Sequence, residues 1–324
     1  MTQIEHQAAP VPGDGTTPVV SMCCVTYNHA DTIAQCLDSM LMQQVDVPVE
    51  IVVHDDASTD GTAEIVADYA ARHPGLIRAI LREENQFSKG RRPAALAFAE
   101  ARGDYFALCE GDDFWTDPTK IARQLAALEG EPDIDMCAHA VMIWQYRNGE
   151  KVAERVSRDV AGIHDAGAVL ERRQMLLATG SLFVRRTAAE RFMDYVNERP
   201  WLKVGDLYLK YFGAQRGGVK ILADPMGVYR LSFSGSWSER NYISSNHLFE
   251  QVSAKIRSYQ ELSNSIAKFY SEDIKRTIIR SARAIATDAK IPISQRLRFL
   301  RSNARLIPPA ALPKLVFLVI FRRS

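Results

Sequence analysis

Three short polar runs hold the residue types with which this chain can do chemistry: Thr26-Tyr27-Asn28, Asp55-Asp56 and Glu110-Gly111-Asp112-Asp113. Each follows a short apolar stretch that reads as a buried strand. In open α/β sheets, ligands bind beyond the carboxyl ends of the strands, so the three runs belong on one rim. A single Asp at such a place serves equally well as a turn or cap residue. Asp112 and Asp113 are different: adjacent carboxylates two residues after Glu110 repel one another unless a cation neutralises them. A hard divalent ion with oxygen ligands suits them, and such ions commonly bridge protein carboxylates to substrate phosphates. Other candidates are weaker. Lys89, Arg91 and Arg92 read mainly as a solvated loop, and His54 and His139 as packed strand residues. No His spacing of metal type, no P-loop and no G-x-G-x-x-G after the first strand is present, so ordinary ATPase and dinucleotide readings lack their glycines.

The elements that must position these residues alternate. Val19–Thr26, Val49–His54, Leu76–Leu81, Asp104–Cys109 and Ile134–Trp144 read as strands. Helices are expected between them: one with Ile33, Leu37, Met40 and Leu41 on one face, one capped by Ser58 or Thr59, an Ala-rich one over Ala94–Ala101, and one started by Asp117-Pro118. This alternation predicts an α/β fold, a mostly parallel sheet flanked by helices. Residues 147–178 are charged and irregular. Thr179–Val184, Lys220–Leu222 and Met226–Leu231 read as strands, Thr187–Glu198 and Gly205–Ala214 as helices, and the chain from His247 onward as mostly helical.

The motifs Val20–Asn28, Asp55-Asp56-Ala57-Ser58-Thr59-Asp60-Gly61-Thr62 and Glu110-Gly111-Asp112-Asp113-Phe114-Trp115 together resemble the inverting family 2 glycosyltransferases of the GT-A (Rossmann-like) fold, in their E-G-D-D-[FY]-W subgroup. The resemblance covers roughly residues 18–240. It implies that Thr26, Tyr27 and Asn28 border a nucleotide, that Asp56 accepts a hydrogen bond from its base, most often uracil, and that Asp112 faces the ribose or the metal. Asp113 would ligate that metal, Mn²⁺ or Mg²⁺, which offsets charge on the departing nucleoside diphosphate. Gly205-Asp206-Leu207-Tyr208-Leu209 resembles the family's acceptor-side element, in which the Asp is the general base. Read from the residues alone, Asp206 serves equally as a cap of its helix. Tyr229–Ser238 resembles the family's closing loop, with Arg230 placed to offset diphosphate charge and Trp237 to line the sugar or acceptor site. A His common in that loop is Ser232 here.

The rest of the chain sets the context. Of 324 residues, 47% are hydrophobic and 24% charged, as in soluble globular proteins. The net charge of +1 hides an asymmetry, because residues 253–324 hold 15 Lys/Arg against 4 Asp/Glu. A basic tail on an acidic body suggests a polyanionic neighbour. The apolar run Leu315–Phe321, flanked by Lys314, Arg322 and Arg323, suits the membrane interface, and no stretch suits a full span. Basic charge without interleaved aromatics argues against nucleic acid. Five cysteines without a C-x-x-C pair read as small buried hydrophobes of a reducing compartment.

The expected organisation is a disordered leader over 1–17 without a secretory core, a catalytic domain over 18–245 and a basic helical extension over 246–324. Within the domain, 18–145 forms the nucleotide-sugar half and 146–245 the acceptor half. The expected activity is glycosyl transfer from a UDP-sugar to a hydroxyl of a glycan or lipid-linked acceptor, in bacterial surface polysaccharide or glycolipid synthesis. The expected place is the cytoplasm, at the cytoplasmic face of the inner membrane. Two other readings are a non-catalytic nucleotide-sugar-binding or assembly protein of the same fold, and a nucleotidyltransferase.

Overall fold

A computed structural model describes residues 16–171, 175–202, 205–233, 245–265 and 270–321. Most of the expected leader and all of 234–244, with Trp237, lie outside the described residues. The first half alternates as expected: β1 (Val20–Thr26), α1 (Ile33–Leu41), β2 (Val49–Asp55), α2 (Thr62–Arg72), β3 (Ile77–Leu81), α3 (Pro93–Glu100), β4 (Tyr105–Glu110), the short β5 (Phe114–Trp115), α4 (Lys120–Glu129) and β6 (Met136–His139). There follow β7 (Met142–Arg147), β8 (Glu150–Val156), β9 (Gly162–His164), α5 (Ala166–Glu171), β10 (Phe183–Arg185), α6 (Arg186–Asn197), α7 (Gly205–Ala214), β11 (Val219–Leu222) and β12 (Gly227–Leu231). Four helices close the chain: α8 (Ser245–Ser265), α9 (Ser271–Thr287), α10 (Ile293–Ser302) and α11 (Leu312–Phe321).

An eight-stranded sheet runs in the order β3-β2-β1-β4-β10-β6-β11-β9, and a four-stranded sheet in the order β5-β12-β7-β8. The pairs β3/β2, β2/β1, β1/β4 and β6/β11 are parallel, and β10 enters antiparallel between β4 and β6. The chain builds outward from β1 toward β3 and then returns to place β4 on the other side. That reversal opens a crevice at the carboxyl ends of β1 and β4, where α/β proteins bind ligands.

The register of β1 shows why its seven residues are all apolar or small. Val20, Met22 and Cys24 enter one core with Ile33, Leu37 and Met40 of α1 and Leu125 and Leu128 of α4. Cys23 and Val25 point the other way, into a second core with α3, α6, α7 and the closing helices. A strand covered by helices on both faces has no polar face to show. All five cysteines are buried and unpaired, in keeping with their reading as small hydrophobes.

Several expected boundaries are corrected. The run Ile134–Trp144 is not one strand. It breaks at Ala140-Val141, so that β6 belongs to the large sheet and β7 to the small one. Ala140 exchanges backbone bonds with Leu222 and Met226, and the Val141 amide donates to Ser157 Oγ at 3.0 Å. These partners satisfy the backbone at the crossing. The stretch after Arg147 is not irregular: β7 and β8 form a hairpin turned by Asn148-Gly149, both at positive φ (52° and 81°). That pair of left-handed residues is the signature of a tight hairpin. The N-cap of helix α2 is neither Ser58 nor Thr59 but Gly61, left-handed at φ 97°, and Asp60 before it accepts the Thr62 amide at 3.1 Å. Asp117-Pro118 does not open α4. Asp117 instead accepts the Thr119 amide at 2.8 Å in a turn, and the helix begins at Lys120. Thr179–Ser181 is a 3₁₀ turn, which shortens the strand expected over 179–184 to β10.

Candidate active site

The carboxyl ends of β1, β2 and β4 bring the three polar runs to one rim, and their loops are laced together. Asn28, at positive φ (56°), donates its amide to Ser58 Oγ at 2.9 Å and accepts the Thr59 amide on its side-chain oxygen at 2.8 Å. Asp60 accepts the Ala30 amide at 3.0 Å, and Thr62 Oγ1 accepts the His29 amide at 2.8 Å. The D-D-x-S-x-D-G-T run therefore builds the wall that holds 27–30 in place. Thr26 is buried and pairs its hydroxyl with His29 Nδ1 at 3.1 Å, and Tyr27 stands open to solvent.

Asp56 is 2% exposed. One carboxylate oxygen accepts the Gln86 amide at 2.7 Å and the other the Phe87 amide at 3.0 Å, while Asn85 Nδ2 donates to the Asp56 carbonyl at 3.1 Å. Asp56 thus pins the loop that follows β3 over the end of β2. Each carboxylate oxygen keeps a further lone-pair site.

At the end of β4, Glu110, Asp112 and Asp113 each offer an oxygen, and these oxygens lie within 4.8 Å of one another. Gly111 makes this approach possible: a Cβ there would stand 2.5 Å from Thr26 Oγ1 and 2.8 Å from His29 Nδ1. Burial, then the charges of Asp112 and Asp206, push the Glu110 carboxyl up to about 7. Burial, then Asp112 and Glu110, hold Asp113 well above the ordinary carboxylate range. Like charges gathered on one partly buried rim, all hard oxygen donors, fit a divalent cation.

Arg230 is engaged with the acidic segment itself. It is buried, gives its backbone amide to Asp113 at 2.7 Å and one guanidinium nitrogen to the Asp112 carbonyl at 2.5 Å, and bonds Gln35 with another. Its guanidinium also lies over the Phe114 ring at 4.8 Å. The side chain clamps the acidic segment from β12. Ser232, just beyond, sits at positive φ (59°).

Asp206 occupies the first turn of α7 and is partly open to solvent. Lys210 Nζ donates to it at 2.8 Å from one turn along the helix. Its charge contributes to the elevation of Glu110, so it lies within electrostatic reach of the acidic rim.

Glu110, part of the acidic run in the sequence, adds its own oxygen to the cluster. The sequence assigns no role to three further neighbours. Gln35 and Lys210 are ordinary helix residues until their partners are known. Tyr229 is pushed upward by burial and then by the charges of Asp113, Glu110, Asp112 and Asp206, so it feels the same acidic rim.

The glycosyl transferase family 2 model matches residues 21–192 of the chain. The uncharacterised protein Rv1520 of Mycobacterium tuberculosis is 35% identical over 218 residues, which span 67% of this chain and 60% of that protein. The chain thus matches a little under two thirds of the length of such relatives. The UDP-Glc:alpha-D-GlcNAc-diphosphoundecaprenol beta-1,3-glucosyltransferase WfaP of Escherichia coli is 33% identical over 114 residues, 35% of this chain and 42% of that one. Among solved structures, S. aureus TarS 1–349 in complex with UDP-GlcNAc superposes with a TM-score of 0.65 at 17% identity, covering 92% of this chain and 86% of that one. The shared fold is GT-A, and with the family model matching more than half of its residues the chain belongs to glycosyl transferase family 2.

Proposed function

We propose that the protein transfers a sugar, with inversion, from a nucleoside-diphosphate donor to a hydroxyl of a glycan or lipid-linked acceptor. A UDP-sugar is favoured, because TarS is solved with UDP-GlcNAc and WfaP is named for UDP-Glc. The observation that carries the reading is the convergence of Thr26, Asp56 and the Glu110–Asp112–Asp113 cluster at the β1/β4 crevice, with Asp206 within electrostatic reach of the same rim.

In this reading the nucleotide lies across the ends of β1 and β2. Tyr27 offers a ring face and Asp56 a carboxylate oxygen to the base, held in place by the loop it pins. Asp113 and Asp112, with Glu110 beside them, hold a divalent cation, Mn²⁺ or Mg²⁺, which when bound neutralises charge gathering on the diphosphate. Asp206 takes the proton of the acceptor hydroxyl as that oxygen forms its bond to the sugar carbon. The bond from that carbon to the diphosphate breaks on the opposite side, and the nucleoside diphosphate leaves. Lys210 orients the Asp206 carboxylate. Arg230 acts on the cluster by fixing the Asp112-Asp113 backbone. The lipid-linked acceptor reading places the protein at a cytoplasmic membrane face, touching it through the basic extension.

Calorimetric titration with UDP, GDP and CDP, each with Mn²⁺ and with chelator, tests the donor site. Metal-dependent binding of UDP is the expected result, and binding that Asp113→Ala leaves intact would remove the cation assignment. Binding of none of the three would favour the non-catalytic reading.

A further inference from the structure

Helix α11 is apolar on both its buried and its exposed side. Leu315 and Val319 are buried in the main core, one turn apart. The opposite side carries Phe317, Ile320 and Phe321, exposed by 58%, 49% and 64%, with the two rings 4.7 Å apart. These residues, with Ala304 and Pro309, line an open groove of about 590 Å³. Three large apolar side chains standing together in water need an explanation that singly scattered ones do not.

The chain segment that builds the groove carries charge of one sign. Residues 289–324 hold eight Lys/Arg and no Asp or Glu. Arg298, Arg301, Arg305 and Lys314 are exposed, and none has an ion-pair partner among the described residues. On α9, by contrast, Lys275 and Arg276 are both paired with carboxylates. Ala304, on the groove wall, lies between Arg301 and Arg305 in the chain.

We infer that the outer face of α11 docks on an anionic lipid surface. The apolar side chains enter the acyl boundary and the unpaired cations meet the headgroups, as in helices that lie in the membrane interface. The helix has ten residues and is about 15 Å long, half of the hydrocarbon thickness, so it lies on the bilayer rather than across it. No helix among the described residues is long and apolar enough to cross. A second copy fits the face poorly, since a two-fold contact would set the same cations against one another. The docking surface deepens the lipid-linked acceptor reading, and its test is independent of turnover.

The test is cosedimentation of the purified protein with phosphatidylcholine vesicles and with vesicles of equal parts phosphatidylcholine and phosphatidylglycerol. Binding is expected to the anionic vesicles, weakened by added salt. Phe317→Ser with Phe321→Ser should lower the partition coefficient at least about tenfold, and Arg301→Glu with Arg305→Glu should remove the preference for phosphatidylglycerol. Both pairs lie on the surface, and unchanged UDP titration certifies the fold and the donor site. Vesicle binding equal in wild type and the phenylalanine variant, or absent in both, overturns the inference while leaving the transferase reading as the UDP titration finds it. A dimer in gel filtration that the phenylalanine variant dissociates would assign the face to a second copy instead.

Discussion

Asp206 is the residue at which the cap reading and the catalytic reading part. A cap needs only the first amides of α7, whereas this carboxylate also carries Lys210 at 2.8 Å, and its charge contributes to the elevation of Glu110. Asp206→Asn keeps the shape and loses the base. It should leave UDP affinity and the melting temperature close to wild type while lowering kcat by about 10²- to 10⁴-fold, the range for a general base. Isothermal titration and a sugar-transfer assay separate the two readings. A variant with full turnover would return Asp206 to the role of a helix-end residue. Arg230 makes the complementary point. An arginine in a loop near phosphate-binding motifs reads as a phosphate ligand, and its sequence neighbours do not reveal that it also bonds Asp112 and Gln35.

At the scale of elements, the loop after β3 depends on one side chain. Asp56 accepts two amides from it, so Asp56→Ala would leave the Gln86 and Phe87 amides without a partner as well as removing a base contact. Losing two hydrogen bonds to a charged group should cost about 3–6 kcal/mol. Hydrogen exchange at Gln86 and Phe87 should speed up more than elsewhere. Unchanged protection there would mean that the loop is held by other contacts. The crossing between the two sheets makes a second prediction. His139 ends β6 with Nδ1 2.6 Å from the Ala140 carbonyl oxygen, and burial, then the charge of Lys120, pull it down to about 3. The unfolded chain, with an ordinary value near 6.5, then binds the extra proton between pH 6.5 and 3, so folding stability falls as pH drops through that window. Each unit of separation is worth about 1.4 kcal/mol. His139→Leu should flatten this slope, read as the difference in urea midpoint between pH 7 and 4.5. Equal slopes in both proteins would show that the imidazole accepts its proton without cost.

The elements also show what was legible. β1, β2 and β4 could be read because strands buried on both faces leave an uninterrupted apolar run, and their ends were marked by acids. The break at Ala140-Val141 could not be read, because both strands it separates are apolar and the partners that stop them, Leu222, Met226 and Ser157, are remote in sequence. The hairpin at Asn148-Gly149 did carry its signal, but β8 is exposed throughout and its charged residues hid the strand. Of the site, the acids were legible as chemistry. The clamps on them, Gln35 and Arg230 on one side and Lys210 on the other, are properties of packing.

For the whole molecule the question is whether the basic helical extension is a separate unit behind the catalytic domain. The core argues that it is not. Ile256, Tyr259, Ile274, Ile278, Leu300 and Leu315 belong to the same apolar cluster as Phe98 of α3, Phe192 of α6 and Tyr208 and Tyr211 of α7. Polar bonds repeat the attachment: Thr277 Oγ1 donates to the Leu170 carbonyl at 3.2 Å, Arg280 to that of Glu171 at 2.7 Å, and Arg276 pairs with the Glu171 carboxylate. Helix α7, which carries Asp206, is therefore backed by the extension, and the position of the proposed base depends on helices far from it in sequence. A boundary near 245 would then divide the chain in sequence and not in folding. Ile278→Ala tests this. Its side chain is buried, and deleting it should cost about 2–4 kcal/mol. If the extension shares the core, that loss moves one cooperative transition of the entire chain downward by roughly 3–6 °C, with near-ultraviolet and far-ultraviolet signals falling together. If the extension folds alone, the variant should instead show an early transition that leaves UDP binding intact until the second. Coincident loss of UDP binding and of helix signal would establish that the site and the extension stand or fall as one structure.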